Sequence, residues 1–210
     1  MARSVDWEQA FQPLLKKYKN RKHPLNYKNR YQLLVMVVLS AQSSDKLINE
    51  EVAPAFFSAY PTMKDLAKAS SSELMPYLGK VRNFGTKAQW LVNIAKMVKS
   101  DDAIPHTMEA LTELPGVGRK SANVIIRESG DKAEGIIVDL HVVRVAPRLG
   151  IVTSENPVQI EKQLMKIFPQ KYWGDIGMAL SFLGREICRP TNPKCEQCVM
   201  NSSCGYYNKQ

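Results

Sequence analysis

Two stretches with helical spacing, residues 107–113 and 121–127, are joined by Leu114-Pro115-Gly116-Val117-Gly118-Arg119-Lys120, and that junction limits what this chain can fold into. The chain has to reverse there between two helices. Gly116 and Gly118 can take backbone angles closed to other residues, and their missing side chains let a ligand approach the main chain. The amides of such a turn, with the start of the next helix, form a partial positive pole suited to phosphate. A nucleotide P-loop does not fit, because Arg119 separates Gly118 from Lys120 and the earlier glycine position is Glu113. A dinucleotide fingerprint needs a third glycine and a preceding strand, and Ser121 and the helical residues 107–113 argue against both. A tight helix–helix turn that binds nothing stays open on these residues alone.

Helical spacing runs through almost every other stretch, so the chain reads as all-α. Residues 5–19 predict an amphipathic basic helix bent or broken at Pro13. Residues 27–41 are apolar nearly all round from Leu33, as a buried central helix would be; a strand over 33–39 is the rival, given Val35, Val37 and Val38. A helix interrupted at Pro54 is expected over 44–60, then short helices near 62–69 and 70–77, the latter with a Ser70/Glu73 capping box. Residues 80–85 read as a loop and 86–99 as a helix. After a polar loop at 129–135, a brief extended piece leads to Asp139, which caps a helix to about Leu149; 157–168 and 173–187 complete the helical part.

At 210 residues, 44% of them hydrophobic, the chain makes one large domain or two small ones sharing a core. Its net charge of +9 points to a polyanion, most commonly nucleic acid. Residues 1–30 carry eight Lys/Arg, from Arg3 to Arg30, against Asp6 and Glu8, and so supply +6 of that charge. A merely solvated basic helix is the alternative. The N-terminus shows no secretory signal and the longest apolar run, 33–39, is too short to span a bilayer, so no membrane role is expected and the protein reads as intracellular, in the cytoplasm or nucleoid if bacterial.

All four cysteines fall in Cys188-x6-Cys195-x2-Cys198-x5-Cys204, which reads as one four-ligand site rather than a disulfide framework. A structural zinc site usually pairs two Cys-x2-Cys units, and only one is present. The wider spacings suit the bulkier iron–sulfur clusters held by four thiolates.

The glycine turn with Lys120-Ser-Ala-Asn123, Val138-Asp139-Leu140-His141 and the four cysteines together resemble the endonuclease III family of DNA glycosylases, within the helix-hairpin-helix superfamily. The resemblance runs from Leu39-Ser-Ala-Gln42 to Cys204. It implies a six-helix domain over 22–132 containing the helix-hairpin-helix, and a second helical domain made of 1–21 with 133–210 that carries a 4Fe-4S cluster on Cys188, Cys195, Cys198 and Cys204. It places the active site in a groove between them. Lys120 would attack the deoxyribose C1′, expel the damaged base and allow β-elimination through a Schiff base. From the residues alone Lys120 is a phosphate contact, in a first helical turn that disfavours its positive charge. Asp139 would balance the charge that develops on the sugar and help move protons; its bland role is the helix N-cap.

The same resemblance assigns DNA contacts to Gly116, Val117, Gly118, Arg119, His141, Arg189 and Lys194, and makes Gln42 the side chain that fills the gap left by a flipped base. His141 alone would be read as a structural histidine. The second gap-filling residue, commonly leucine, is Asn83 here, and Leu140 replaces the usual threonine; both departures bear on which damaged bases are accepted. The implied activity is a bifunctional glycosylase and AP lyase for oxidised pyrimidines in double-stranded DNA, including abasic sites, working as a monomer. A mismatch-specific glycosylase of the same superfamily and a non-catalytic DNA-binding iron–sulfur protein are the alternatives. The mismatch branch usually lacks the lysine and carries a further C-terminal domain.

Overall fold

In this computed structural model residues 5–209 are described; Arg3, counted above in the basic segment, lies outside them. Among the described residues every regular element is helical. In chain order they are α1 (Trp7–Ala10), α2 (Gln12–Lys17), α3 (Arg30–Ser40), α4 (Asp45–Leu47), α5 (Ala53–Ala59), α6 (Met63–Lys68), α7 (Ser71–Leu78), α8 (Phe84–Val98), α9 (Met108–Thr112), α10 (Arg119–Glu128), α11 (Leu140–Leu149), α12 (Pro157–Ile167) and α13 (Trp173–Glu186). A π-helical stretch, Ile48–Val52, lies between α4 and α5. The described residues divide into two compact units: His23–Asp131, and residues 5–22 joined to 132–209.

In the unit His23–Asp131, α3 is the buried centre. Tyr31 and all seven residues from Leu33 to Leu39 are buried, and α8 and α10 pack against it. Helix, not strand, wins over 33–39 because Asn29 caps it, its side chain accepting from the Gln32 amide at 2.9 Å. Burying each large apolar side chain contributes about 1.5–3 kcal/mol, so α3 outweighs the β preference of its valines. The interruption near Pro54 takes a definite form. Pro54 has no N–H, the turn before it widens, and the Ala53 amide reaches back to the Ile48 carbonyl. The Ser70/Glu73 capping box opens α7, and its hydrogen bonds hold the Glu73 carboxyl below its usual range.

In the other unit α11 and α13 form the core pair, with α2 on α13 and α12 on α11. The basic N-terminal helix breaks at Phe11, and Pro13 then sits in the first turn of α2, where a missing N–H costs nothing. Phe11 meets Phe168 at 4.8 Å between ring centres, and Tyr18 meets Phe182 at 5.5 Å. The Tyr18 hydroxyl donates to Glu186 at 3.0 Å. These contacts fasten the chain's beginning to α13 and to the segment after α12. Residues 131–138 lie outside any helix, and the Ile136 amide donates to the buried carboxylate of Glu161 at 3.1 Å.

Candidate active site and nucleic-acid interface

The two glycines of the hairpin are not equivalent. Gly116 has φ +77°, and a Cβ there would lie 2.3 Å from the Trp90 ring, so conformation and packing both require glycine. Gly118, the N-cap of α10, has φ −85°, which any residue can adopt, and a Cβ there would meet nothing within 4 Å. The conformational reason expected for Gly118 is therefore corrected: its missing side chain keeps open the approach to the first turn of α10. Val117 is buried and its amide donates to the Leu114 carbonyl at 3.0 Å, closing the turn. Arg119 and Lys120 are exposed in the first turn of α10, where helical amides have no acceptor within the helix.

Two loops of the same unit stand beside each other at the end of α3. Gln42 is exposed with φ +59°, and Asn83, the N-cap of α8, is exposed with φ +56°. Positive φ is uncommon outside glycine, so both side chains are presented by constrained backbone. The Arg82 amide donates to Ser43 Oγ at 3.3 Å and ties the loops together. Beneath them Lys87, only 2% exposed, donates from Nζ to the carbonyls of Leu39 at 2.8 Å and Ala41 at 2.5 Å. These are orphan carbonyls at the C-terminus of α3, where a cation is favoured. Burial pushes the Lys87 ammonium down to about 8. Phe84 is partly exposed beside Asn83.

Asp139 caps α11. Its Oδ1 accepts the amides of His141 and Val142, both at 2.9 Å, and its Oδ2 accepts the hydroxyl of Ser181 on α13 at 2.6 Å. Leu140, next to it, is 72% exposed and points no apolar surface into the core. His141 is half-buried, with Arg144 Nη2 at 3.3 Å from Nδ1. Lys120 belongs to the unit His23–Asp131, and Asp139, His141 and the cysteines belong to the other.

The four cysteines are free thiols that line one cavity with Leu183 and Ile187. Among the described residues no three His, Cys, Asp or Glu side chains gather as a single-ion site. Four cysteine thiols around one cavity form the kind of donor set that holds an iron–sulfur cluster. Burial pushes the Cys195 and Cys198 thiols up, and the neighbouring thiols push the same way. A bound cationic centre would reverse that penalty. Arg148 straps the loop to α11: Nη1 donates to the Arg189 carbonyl at 2.8 Å and lies 3.8 Å from Cys188 Sγ, and Nη2 donates to the Pro190 carbonyl at 3.2 Å. Arg144 adds bonds to the carbonyls of Cys188 at 3.1 Å and Gly184 at 2.9 Å. Arg189 and Lys194 are thereby presented, exposed, on a fixed loop.

Residues 35–170 match the family described as HhH-GPD superfamily base excision DNA repair protein. Endonuclease III of Thermotoga maritima is 34% identical over 194 residues, covering 90% of each chain. Endonuclease III of Synechocystis is also 34% identical, over 91% of this chain and 88% of that protein. The chain belongs to the endonuclease III family. It is a base excision repair DNA glycosylase. A solved endonuclease III, trapped as a covalent intermediate with DNA, is 30% identical and superposes with a TM-score of 0.87 over 98% of both chains. A non-covalent endonuclease III–DNA complex gives 0.86 at 31% identity. A thermostable thymine-DNA glycosylase, 23% identical with a TM-score of 0.80, shares the fold.

For this member of the endonuclease III family, sequence reasoning missed Lys87, Ser181, Arg144 and Arg148. Lys87 carried a readable signal, since it falls on the buried face of α8 in register with Leu91, Ile94 and Val98. Ser181 did too, as the one hydroxyl within Met178-Ala-Leu-Ser-Phe-Leu183. The two arginines gave none, because solvated helix faces carry arginines just as often.

Proposed function

We propose that this chain excises oxidised pyrimidines from duplex DNA and then cleaves the strand as an AP lyase, with Lys120 as the nucleophile. The observation that carries the reading is an exposed lysine in the first turn of α10, beside a glycine whose only evident role is to leave the approach open. A related endonuclease III that forms a covalent intermediate with DNA supports it. A free lysine has a pKa of about 10.4, so the attacking amine must lose a proton first. Lys120 faces water in the DNA-free chain, so the bound duplex supplies the desolvation that favours its neutral form. The amine attacks C1′ as the C1′–N bond to the base breaks, and Asp139 balances the positive charge on the sugar. The amine–C1′ adduct opens to a Schiff base; loss of a C2′ proton then expels the 3′ phosphate. Gln42 and Asn83 fill the vacated stack, held by Lys87 and Ser43. The turn at Gly116–Arg119, His141, Arg189 and Lys194 contact DNA, the last two from the loop strapped by Arg148.

Cys188, Cys195, Cys198 and Cys204 would hold a 4Fe-4S cluster, whose contribution when bound is to cross-link the loop, since base release and elimination exchange no electrons. Purified protein is expected to be brown and to contain about four iron atoms per chain. One zinc and no iron on elemental analysis would remove the cluster.

The activity is tested by borohydride reduction during reaction with thymine-glycol, abasic, thymine–guanine and adenine–8-oxoguanine duplexes. Reduction should trap the protein on the first two. Base release from a mismatch duplex without trapping would overturn the lyase and favour the mismatch-specific alternative.

A further inference from the structure

We propose that Ser181 is a positioning residue for Asp139 and that Oδ2, not Oδ1, is the carboxylate oxygen that faces the reacting sugar. This rests on the reading that Asp139 serves base excision. The geometry separates the cap from the second contact. A helix N-cap needs one oxygen, and Oδ1 alone takes both amides, from His141 and Val142. Ser181 is therefore superfluous for capping α11. Yet it is fully buried, at 0% exposure, and its hydroxyl donates to Oδ2 at 2.6 Å. A serine inside a helix commonly returns its proton to the carbonyl four residues back. Here that single proton goes to a carboxylate on a different element.

A carboxylate has about four acceptor positions. Two donors occupy Oδ1 and one occupies Oδ2, so the remaining position is on Oδ2. With both oxygens held, the carboxylate plane cannot rotate about its last bond. Arg185 Nε donates to Ser181 Oγ at 3.4 Å, polarising the hydroxyl in the direction that strengthens its bond to Oδ2.

The helix is shaped for this reach. Gly177 and Gly184 lie four residues before and three after Ser181, on the same face of α13. A Cβ at 177 would sit 2.4 Å from the Ile137 carbonyl oxygen, and one at 184 would sit 2.8 Å from the His141 Cβ. Those two contacts bracket Asp139 along the chain. The glycines bring α13 close enough for a side chain as short as serine to touch the carboxylate.

The test is a double-mutant cycle with Ser181→Ala and Asp139→Asn, read by single-turnover base release from a thymine-glycol duplex. Titration of the binding stoichiometry on a pre-formed abasic duplex counts folded chains and normalises each rate. Ser181→Ala should slow base release about tenfold to a hundredfold, as a misaligned catalytic group does, with DNA affinity and abasic trapping near wild type. In the Asp139→Asn background the same change should add almost nothing. Unchanged base release in Ser181→Ala, or an equal loss in both backgrounds, overturns the proposal and leaves Ser181 as packing. If Asp139→Asn alone releases the base at the wild-type rate, it is the reading of Asp139 that fails.

Discussion

Lys120→Ala should abolish borohydride trapping and strand cleavage on both thymine-glycol and abasic duplexes, while DNA binding persists. The amine is the proposed covalent nucleophile, and alanine leaves nothing in that turn able to form a Schiff base. Folding should be nearly unaffected. Lys120 is exposed on α10, and exposed substitutions usually stay within about 0.5 kcal/mol of the parent. Alanine is also the best helix former, so α10 should keep its start. Binding loses one positive charge out of several, which should lower the salt dependence of affinity by about one log–log slope unit and no more. Undiminished trapping by Lys120→Ala would make another amine the nucleophile, and the assignment around Gly118 would fall.

The all-helical architecture was legible because nearly every stretch repeats its apolar residues at helical spacing, and because Ser70 and Asp139 are side chains that cap helices. Helix ends were less so. The expected start at Thr86 moves back to Phe84 because Asn83 takes a left-handed conformation there, which no local pattern announces. The π stretch before Pro54 was visible only as an interruption, since one proline is compatible with a kink, a break or a widened turn.

At the candidate site, legibility followed the distance between partners along the chain. Gly116, Lys120 and the cysteine spacing are local patterns. Ser181 and Asp139 are separated by 42 positions, and Lys87 and Leu39 by 48. A polar residue on an apolar helix face shows that some partner exists but cannot say which. Gly177 and Gly184 show the same limit. In the sequence they are helix-weakening residues; only the packed helix shows that the space is taken by Ile137 and His141. Gly118 was read for its backbone freedom, yet its φ is ordinary, and the absence of anything within reach of a Cβ is a fact of three dimensions.

Asp139→Asn should divide the two activities that Lys120→Ala removes together. Asparagine keeps an oxygen for the His141 and Val142 amides, so α11 should stay capped. What is lost is the negative charge proposed to face the sugar. Base release should therefore slow on the order of 100-fold or more, as electrostatic and acid–base terms of this kind commonly do. A pre-formed abasic site has no base to expel, and its opened aldehyde reacts with an amine without a sugar cation, so trapping and cleavage there should fall much less. The ratio of lyase rate on abasic DNA to base release on thymine glycol should rise at least tenfold, taking that 100-fold loss with the smaller one beside it. The Ser181 hydroxyl can still donate to an asparagine oxygen, but the two amides and the hydroxyl would then compete for one carbonyl where the carboxylate offers two oxygens. A small fall in melting temperature is thus compatible with the role assigned to Asp139. Equal losses on both substrates are not, because they would mean that the carboxylate serves only to hold α11 in place.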